Sequence, residues 1–387
     1  MHSLDRFAAG KLDALDRDGL RRRLVDITRD TYPWVMRDGK RLLSFSCNDY
    51  LGLSTHPAVK AAAIEATQRF GVGAGASRLV SGNHPLYAIL EARLAAHKGT
   101  QAACVFGSGY LANVGVIGAL VGSEDLILLD ELSHACLYGG ARLSRAKVMT
   151  FRHNDVADAA ALLDVHRRKF HRALVVTETV FSMDGDRAPM AALGDLCQRH
   201  DAWLLSDDAH GFGVLPHDPA MAQVPLQMGT LSKAVGAYGG YLCASQPVVD
   251  LMKTRARSLI YSTGLPPANV AAAIAALDII AADPALAAEP LRKARMFTAA
   301  LGLPPAESPI VPLVLGAPAS ALRASAVLAA EGFLVTAIRP PSVPPGTARL
   351  RFAFSAAHAD ADVVRLSAVI ATRFGDGLDT APGLVAS

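Results

Sequence analysis

Hydrophobic and polar positions fall into two alternating textures over most of this chain. Near-continuous apolar runs, DLILLD at 125–130, ALVVTETVF at 173–181, AWLLSDDAH at 202–210 and GGYLCAS at 239–245, are separated by stretches of helical periodicity. Strands buried on both faces read in this unbroken way, and their alternation with helices predicts an α/β domain on a mostly parallel sheet. In open sheets of this kind ligands sit beyond the carboxyl ends of the strands, where the pattern sets Ser182, Asp207 and His210. After residue 265 an Ala-rich helical texture takes over, and a second domain is expected to begin near there. It holds a strand candidate, SPIVPLVL at 308–315, a helix through ALRASAVLAAEG, and two strands, FLVTAIRP and TARLRFAFS, on either side of PSVPPG. No repeat of fixed period is present.

Composition narrows the class. With 387 residues and 51% hydrophobic content the chain can bury a large core. The net charge of +3 and the short Arg21-Arg22-Arg23 run argue against nucleic acid as a partner and for small-molecule chemistry. Five cysteines without CxxC spacing suggest no disulfide framework and a cytoplasmic protein. The N-terminal stretch is charged and amphipathic, without the apolar centre of an export signal. The uncharged segment from Gly99 to Ser123 carries Ser108, Asn113 and several glycines, and reads as a buried turn and helix, not a membrane span.

Four segments carry candidate chemistry. In GTLSKAVGAYGG, Lys233 is embedded in small and apolar residues. Poor solvation favours the neutral, nucleophilic amine, which can form a Schiff base with an aldehyde. LLSDDAHGFG ends a strand in Asp207, Asp208 and His210, which suit metal ligation or simple strand termination. Beside such a lysine they also suit a pyridine cofactor, a carboxylate holding the ring nitrogen protonated and the histidine meeting its phenolic oxygen. CVFGSGYLANVGV reads as a strand, a glycine turn and a helix beginning near Tyr110, an arrangement whose backbone N–H groups can meet a phosphate. Finally, alternation in ARLRFAFSA sets Arg349 and Arg351 on one face and Leu350, Phe352 and Phe354 on the other. An arginine there could grip a carboxylate, or the strand could be half-exposed with solvated arginines.

The segments SFSCNDYLGLS, GAGASRLVSGNHPLY, DELSHACLYGG, FRHNDV, TVFSMDGD, SDDAHGFGVL, GTLSKAVGAYGG, IYSTGLPP and TAIRPPSVPPGTARLRFAFSAAH, in this order, span most of the chain. Together they resemble the α-oxoamine synthases of the fold-type I pyridoxal-phosphate (PLP) enzymes, which join an amino acid to an acyl thioester with loss of carbon dioxide. The resemblance implies an N-terminal helical arm over residues 1–50, a large PLP-binding domain with a mostly parallel sheet over 51–280, and a smaller C-terminal α/β domain over 281–387. It implies that Lys233 bonds the cofactor and later removes the α-proton, that His134 stacks on the ring, and that Asp207 and His210 meet the ring nitrogen and the phenolic oxygen. Ser182 would help position the cofactor, Gly109, Tyr110 and Thr230 would hold its phosphate, and Thr263 would reach in from a second subunit of a homodimer. Arg21 and Ser342 would contact the acyl substrate, and Arg351 the amino-acid carboxylate.

Within the family, TAIRPPSVPPGTARLR points to the branch that uses L-alanine and a pimeloyl thioester on coenzyme A or acyl carrier protein. Ser77 stands where 5-aminolevulinate synthases typically have threonine and would leave room for the alanine methyl group, although one methylene is worth only about 1–3 kcal/mol. Ser342 departs from the threonine expected in that branch but keeps its hydroxyl. The rival readings are a glycine-using synthase, a PLP enzyme of another reaction type, and a silent subunit paired with an active partner. No GxGxxG motif supports a nicotinamide dehydrogenase.

Overall fold

The computed structural model describes residues 2–378. Two compact units make it up: one runs from the N-terminus to Cys47, takes in Met183–Gly185 and resumes at Leu291, and the other holds Asn48–Ser182 and Asp186–Pro290. The first unit opens with α1 (Ser3–Arg17), an exposed helix whose capping box is formed by His2 and Asp5. Three antiparallel strands follow, β1 (Ile27–Arg29), β2 (Trp34–Arg37) and β3 (Lys40–Ser44).

The second unit is built on seven strands: β4 (Ala102–Phe106), β5 (Leu126–Asp130), β6 (Lys147–Phe151), β7 (Ala173–Glu178), β8 (Trp203–Asp207), β9 (Leu226–Thr230) and β10 (Gly240–Ala244). Their order across the sheet is β4-β10-β9-β8-β7-β5-β6. From β6 to β9 neighbours are parallel, as the apolar runs predict, whereas β10 is antiparallel to both β9 and β4. The connection from Leu231 to Gly239 is too short for a parallel crossover, which needs a dozen or more residues, so the chain turns back on itself.

The helices of this unit are α2 (Pro57–Phe70), α3 (Leu86–Lys98), α4 (Gly109–Leu120), α5 (Ala135–Ser144), α6 (Val156–His166), α7 (Met190–Arg199), α8 (Gln246–Arg255), α9 (Arg257–Ile260) and α10 (Pro267–Ala282). Period-2 alternation sorts the strand residues between two cores. Ile127, Leu129, Leu174, Val176, Leu205 and Met228 pack with Val116 and Ile117 of α4 and Leu137 of α5. Leu126, Leu128, Val175 and Leu204 face the other way, against Leu163 of α6 and Leu193 and Leu196 of α7. The segment from Gly99 to Ser123 forms β4 and α4, and no single helix among the described residues is long and apolar enough to cross a membrane. The Ala-rich α10 packs against α2 and α3 within this unit.

Within α11 (Pro284–Ala300) the chain returns to the first unit, which continues with β11 (Ile310–Gly316), α12 (Pro318–Ala330), β12 (Phe333–Leu334), β13 (Thr336–Ile338), β14 (Ala348–Ala353) and α13 (Asp360–Leu378). β12 lies parallel to β3, and β14 lies between β11 and β13 in an antiparallel sheet. All six residues of β14 are buried, so its arginines do not lie on a solvated face.

Candidate active site

Alternation carries Glu178 and Asp207, at the carboxyl ends of β7 and β8, and Thr230, at the end of β9, to the α4 and α5 side of the sheet. Asp207 is only 4% exposed. Its Oδ2 accepts the Asn113 amide of α4 at 2.7 Å and its Oδ1 the Ala209 N–H at 3.0 Å. Burial raises its pKa, while Lys233 and Asn113 pull the other way. His210 is buried, and its Nδ1 shares a 2.7 Å hydrogen bond with the Tyr50 hydroxyl. Asp208 is engaged differently, in a buried ion pair with Lys98 of α3. No group of three or more His, Cys, Asp or Glu that could hold a metal is found among the described residues.

The antiparallel β10 shapes the neighbouring corner. Gly240 pairs with both Phe106 and Thr230, and a Cβ on it would come within 2.4 Å of the Ser108 carbonyl. Glycine therefore lets the Ser108–Gly109 turn close on the sheet. Ser108 caps α4 by accepting the Leu111 N–H at 3.2 Å. A Cβ on Gly109 would lie 3.4 Å from the Thr230 side chain, so the helix N-terminus and the Thr230 hydroxyl stand together. Tyr110, 52% exposed, lies over Gly139 of α5.

His134 caps α5 with Nδ1, which accepts the Cys136 N–H at 3.2 Å and lies 2.8 Å from the Cys136 sulfur. Its backbone N–H donates to Glu178 Oε1 at 2.5 Å. Loss of surrounding water lowers the imidazole pKa; Asp207 opposes this and Lys233 adds to it. Lys233 lies in the turn after β9, half-buried beside Ala234 and Val235, and its charge acts on Asp207, Glu178, His134 and Cys136. Ser182, past β7, is buried. Ser77 and Thr263 face each other in an isolated bridge, next to a 2.9 Å hydrogen bond from the Gly264 N–H to the Ala76 carbonyl.

The remaining candidates belong to the first unit. Arg21 pairs with Asp16 at 2.5 Å, and it is Arg22 that donates to the Ser342 hydroxyl, at 2.9 Å. Arg349 is consumed by an ion pair with Asp184 and by the Met183 carbonyl at 3.2 Å. Arg351, two positions on, is buried as well. Sequence reasoning missed Asn113, Glu178, Cys136 and Tyr50. The signal for the first two was a lone polar residue within an apolar helix and an acid closing an apolar strand.

A lysine near a buried aspartate, a histidine on the adjoining helix cap and a helix N-terminus beside a threonine hydroxyl define a cradle for a phosphorylated pyridine aldehyde. Two buried oxygens at this end of the sheet, Asn113 Oδ1 and Ser133 Oγ, have no partner, as expected of a polar site shaped for a bound group. The cradle fits PLP. Residues 40–370 match the family described as aminotransferase class I and II. The chain is similar to the 8-amino-7-oxononanoate synthase of Beijerinckia indica, 59% identical over 96% of this chain and 98% of the relative. It is also similar to that of Methylocella silvestris, 64% identical over 87% of this chain and 98% of the relative. Among solved structures it resembles a serine palmitoyltransferase of S. paucimobilis with bound PLP–myriocin, with a TM-score of 0.89 and 28% identity over 98% of this chain and all of that one. The chain belongs to the class I and II aminotransferase family of PLP enzymes, within it to the 8-amino-7-oxononanoate synthases.

Proposed function

We propose that the protein joins L-alanine to a pimeloyl thioester, releasing carbon dioxide and the free thiol carrier and giving 8-amino-7-oxononanoate for biotin biosynthesis. The observation that carries this reading is the Lys233–Asp207–His134 cradle, on a chain 59–64% identical to 8-amino-7-oxononanoate synthases. When bound, PLP supplies an electron sink for charge developing at the amino-acid Cα. Lys233 would hold the cofactor, and its Nζ would take the alanine α-proton. Asp207, braced by Asn113, would keep the ring nitrogen protonated, and His210, braced by Tyr50, would meet the phenolic oxygen. His134 would cover the ring face and Ser182 would help hold the ring. Gly109, Tyr110 and Thr230 hold the phosphate, with Thr263 contributed by the second subunit of a cytoplasmic homodimer.

Arg351 grips the alanine carboxylate, Ser77 leaves space for its methyl group, and Arg21 and Ser342 meet the acyl chain. The new bond joins alanine Cα to the thioester carbonyl carbon as the thiol leaves. The carboxylate then departs as carbon dioxide, and Lys233 returns a proton to Cα. The carrier is coenzyme A or acyl carrier protein, which present the same thioester.

Purified protein with PLP is expected to be yellow and to release thiol with L-alanine plus pimeloyl-CoA. Release only with glycine plus acetyl-CoA would move it to the glycine-using synthases, and a colourless protein that cannot be reconstituted with PLP would overturn the reading.

A further inference from the structure

Glu178 has no part in the chemistry above, yet it ends β7 as the register partner of Asp207 at the end of β8. Neighbouring strands lie about 5 Å apart, so two carboxyls leave the sheet side by side on one face. Glu178 is 2% exposed, and its Oε1 is fixed by the His134 N–H at 2.5 Å. The two acids are served unequally. Asp207 receives the Asn113 amide and the Ala209 N–H, whereas among the described residues Glu178 receives the His134 N–H alone. The charged groups facing Glu178 are Asp207 from β8, Lys233 from the turn after β9 and Asp130 from the end of β5; His134 contributes its backbone. Asp130 is already paired with His153, which leaves one lysine facing Glu178 and Asp207, and adjacent buried carboxylates do not both ionise readily.

Resting on the PLP reading above, we propose that Glu178 is a positioning residue that works as a neutral acid. Its carboxyl, carrying a proton, holds His134 by the backbone and leaves Asp207 as the carboxylate that faces the pyridine ring. Burial, and next the neighbouring Asp207, push the Glu178 pKa well above the ordinary carboxylate range, in keeping with this division of labour.

The test compares Glu178→Gln and Glu178→Ala with the unaltered protein. Glutamine keeps the shape, the neutral charge and an acceptor for the His134 N–H. The pH midpoint of the visible band of PLP-loaded protein is therefore expected to stay within about 0.3 of its original value in E178Q. An ionised Glu178 would have stabilised the cationic chromophore, so a fall of about one unit or more would overturn the proposal. In E178A, visible circular dichroism of the bound cofactor is expected to drop to about half or less as His134 loses its anchor; an unchanged signal would overturn the positioning role. Infrared spectra of PLP-free protein give a readout independent of cofactor and of variant stability in function. The carbonyl stretch of a protonated buried acid is expected in the unaltered protein and absent from E178Q, and its absence from both would overturn the proposal. Loss of the PLP reading itself would look different, because no visible band would form in any of the three proteins.

Discussion

The Asn113 amide donates to Asp207 Oδ2 across 2.7 Å, from the middle of an otherwise apolar helix to the end of the central strand β8. In the proposed role at the ring nitrogen Asp207 acts as a carboxylate; burial favours its neutral form, and Asn113 is one of the groups that opposes this. A hydrogen bond to a charged group contributes about 1.5–3 kcal/mol. Asn113→Ala is accordingly expected to weaken PLP binding roughly 10- to 100-fold, as read by titrating PLP-free protein with the cofactor. Unchanged affinity would mean that Asp207 does not depend on this brace.

His153, just past β6, joins Asp130 at the end of β5 to Asp186 in the segment that follows β7. Its Nδ1 meets Asp130 at 3.0 Å and its Nε2 meets Asp186 at 2.7 Å. Burial works against the charged ring, but the two carboxylates outweigh it and raise the pKa to about 10. Because the folded pKa is raised, the stabilisation is complete below the unfolded value of about 6.5 and is lost as pH rises through about 10. His153→Gln leaves Asp130 buried without its cation, which is expected to cost about 3–5 kcal/mol. The difference in Tm between the two proteins should be constant below pH 6.5 or so and shrink on the way to pH 10. A difference independent of pH would show that the ring is neutral in the fold.

How far these features could be read beforehand follows from what encodes them. Strands buried on both faces are written as apolar runs, so DLILLD, ALVVTETVF and AWLLSDDAH announced β5, β7 and β8 and the site at their ends. Lys233 stood out as a candidate through its small neighbours. The reversal of β10 was implicit only in the length of the loop before it. Asn113 and Glu178 each lie inside an apolar element, and their partners, Asp207 and the His134 backbone, come from other segments; spacing along the chain does not encode such pairs. For the same reason alternation set Arg349 and Arg351 together but did not separate them, since Asp184 meets Arg349 only in the folded unit.

His358 marks an acid-sensitive point of the first unit. Its Nδ1 accepts the Ser355 N–H at 3.0 Å, its Nε2 lies 2.9 Å from the Ser44 carbonyl, and its ring stacks on Phe45 with centroids 4.0 Å apart. Burial lowers its pKa to about 4. With the folded value below the unfolded one of about 6.5, the unfolded chain binds more protons between them, so this contribution is present above pH 6.5 or so and is lost as pH falls through about 4. His358→Asn should flatten that part of the stability profile, as measured by urea unfolding at intervals across the range. An unchanged slope would place the acid sensitivity elsewhere.

Arg349 and Arg351 are expected to divide stability from substrate binding. Arg349 is tied to Asp184 and to the Met183 and Thr347 carbonyls, and removing it leaves these groups without their cation. Arg349→Ala should therefore lower stability by about 3–5 kcal/mol, seen as a reduced denaturation midpoint. Arg351→Lys keeps a positive charge on β14 but loses the planar fork that binds a carboxylate through two hydrogen bonds. Its denaturation midpoint should change little, while KM for L-alanine rises about 10-fold or more, as expected when a charge-assisted pair loses one of its bonds. If instead R351K unfolds early with an unaltered KM, and R349A binds alanine poorly, the assignment of the carboxylate to Arg351 is reversed.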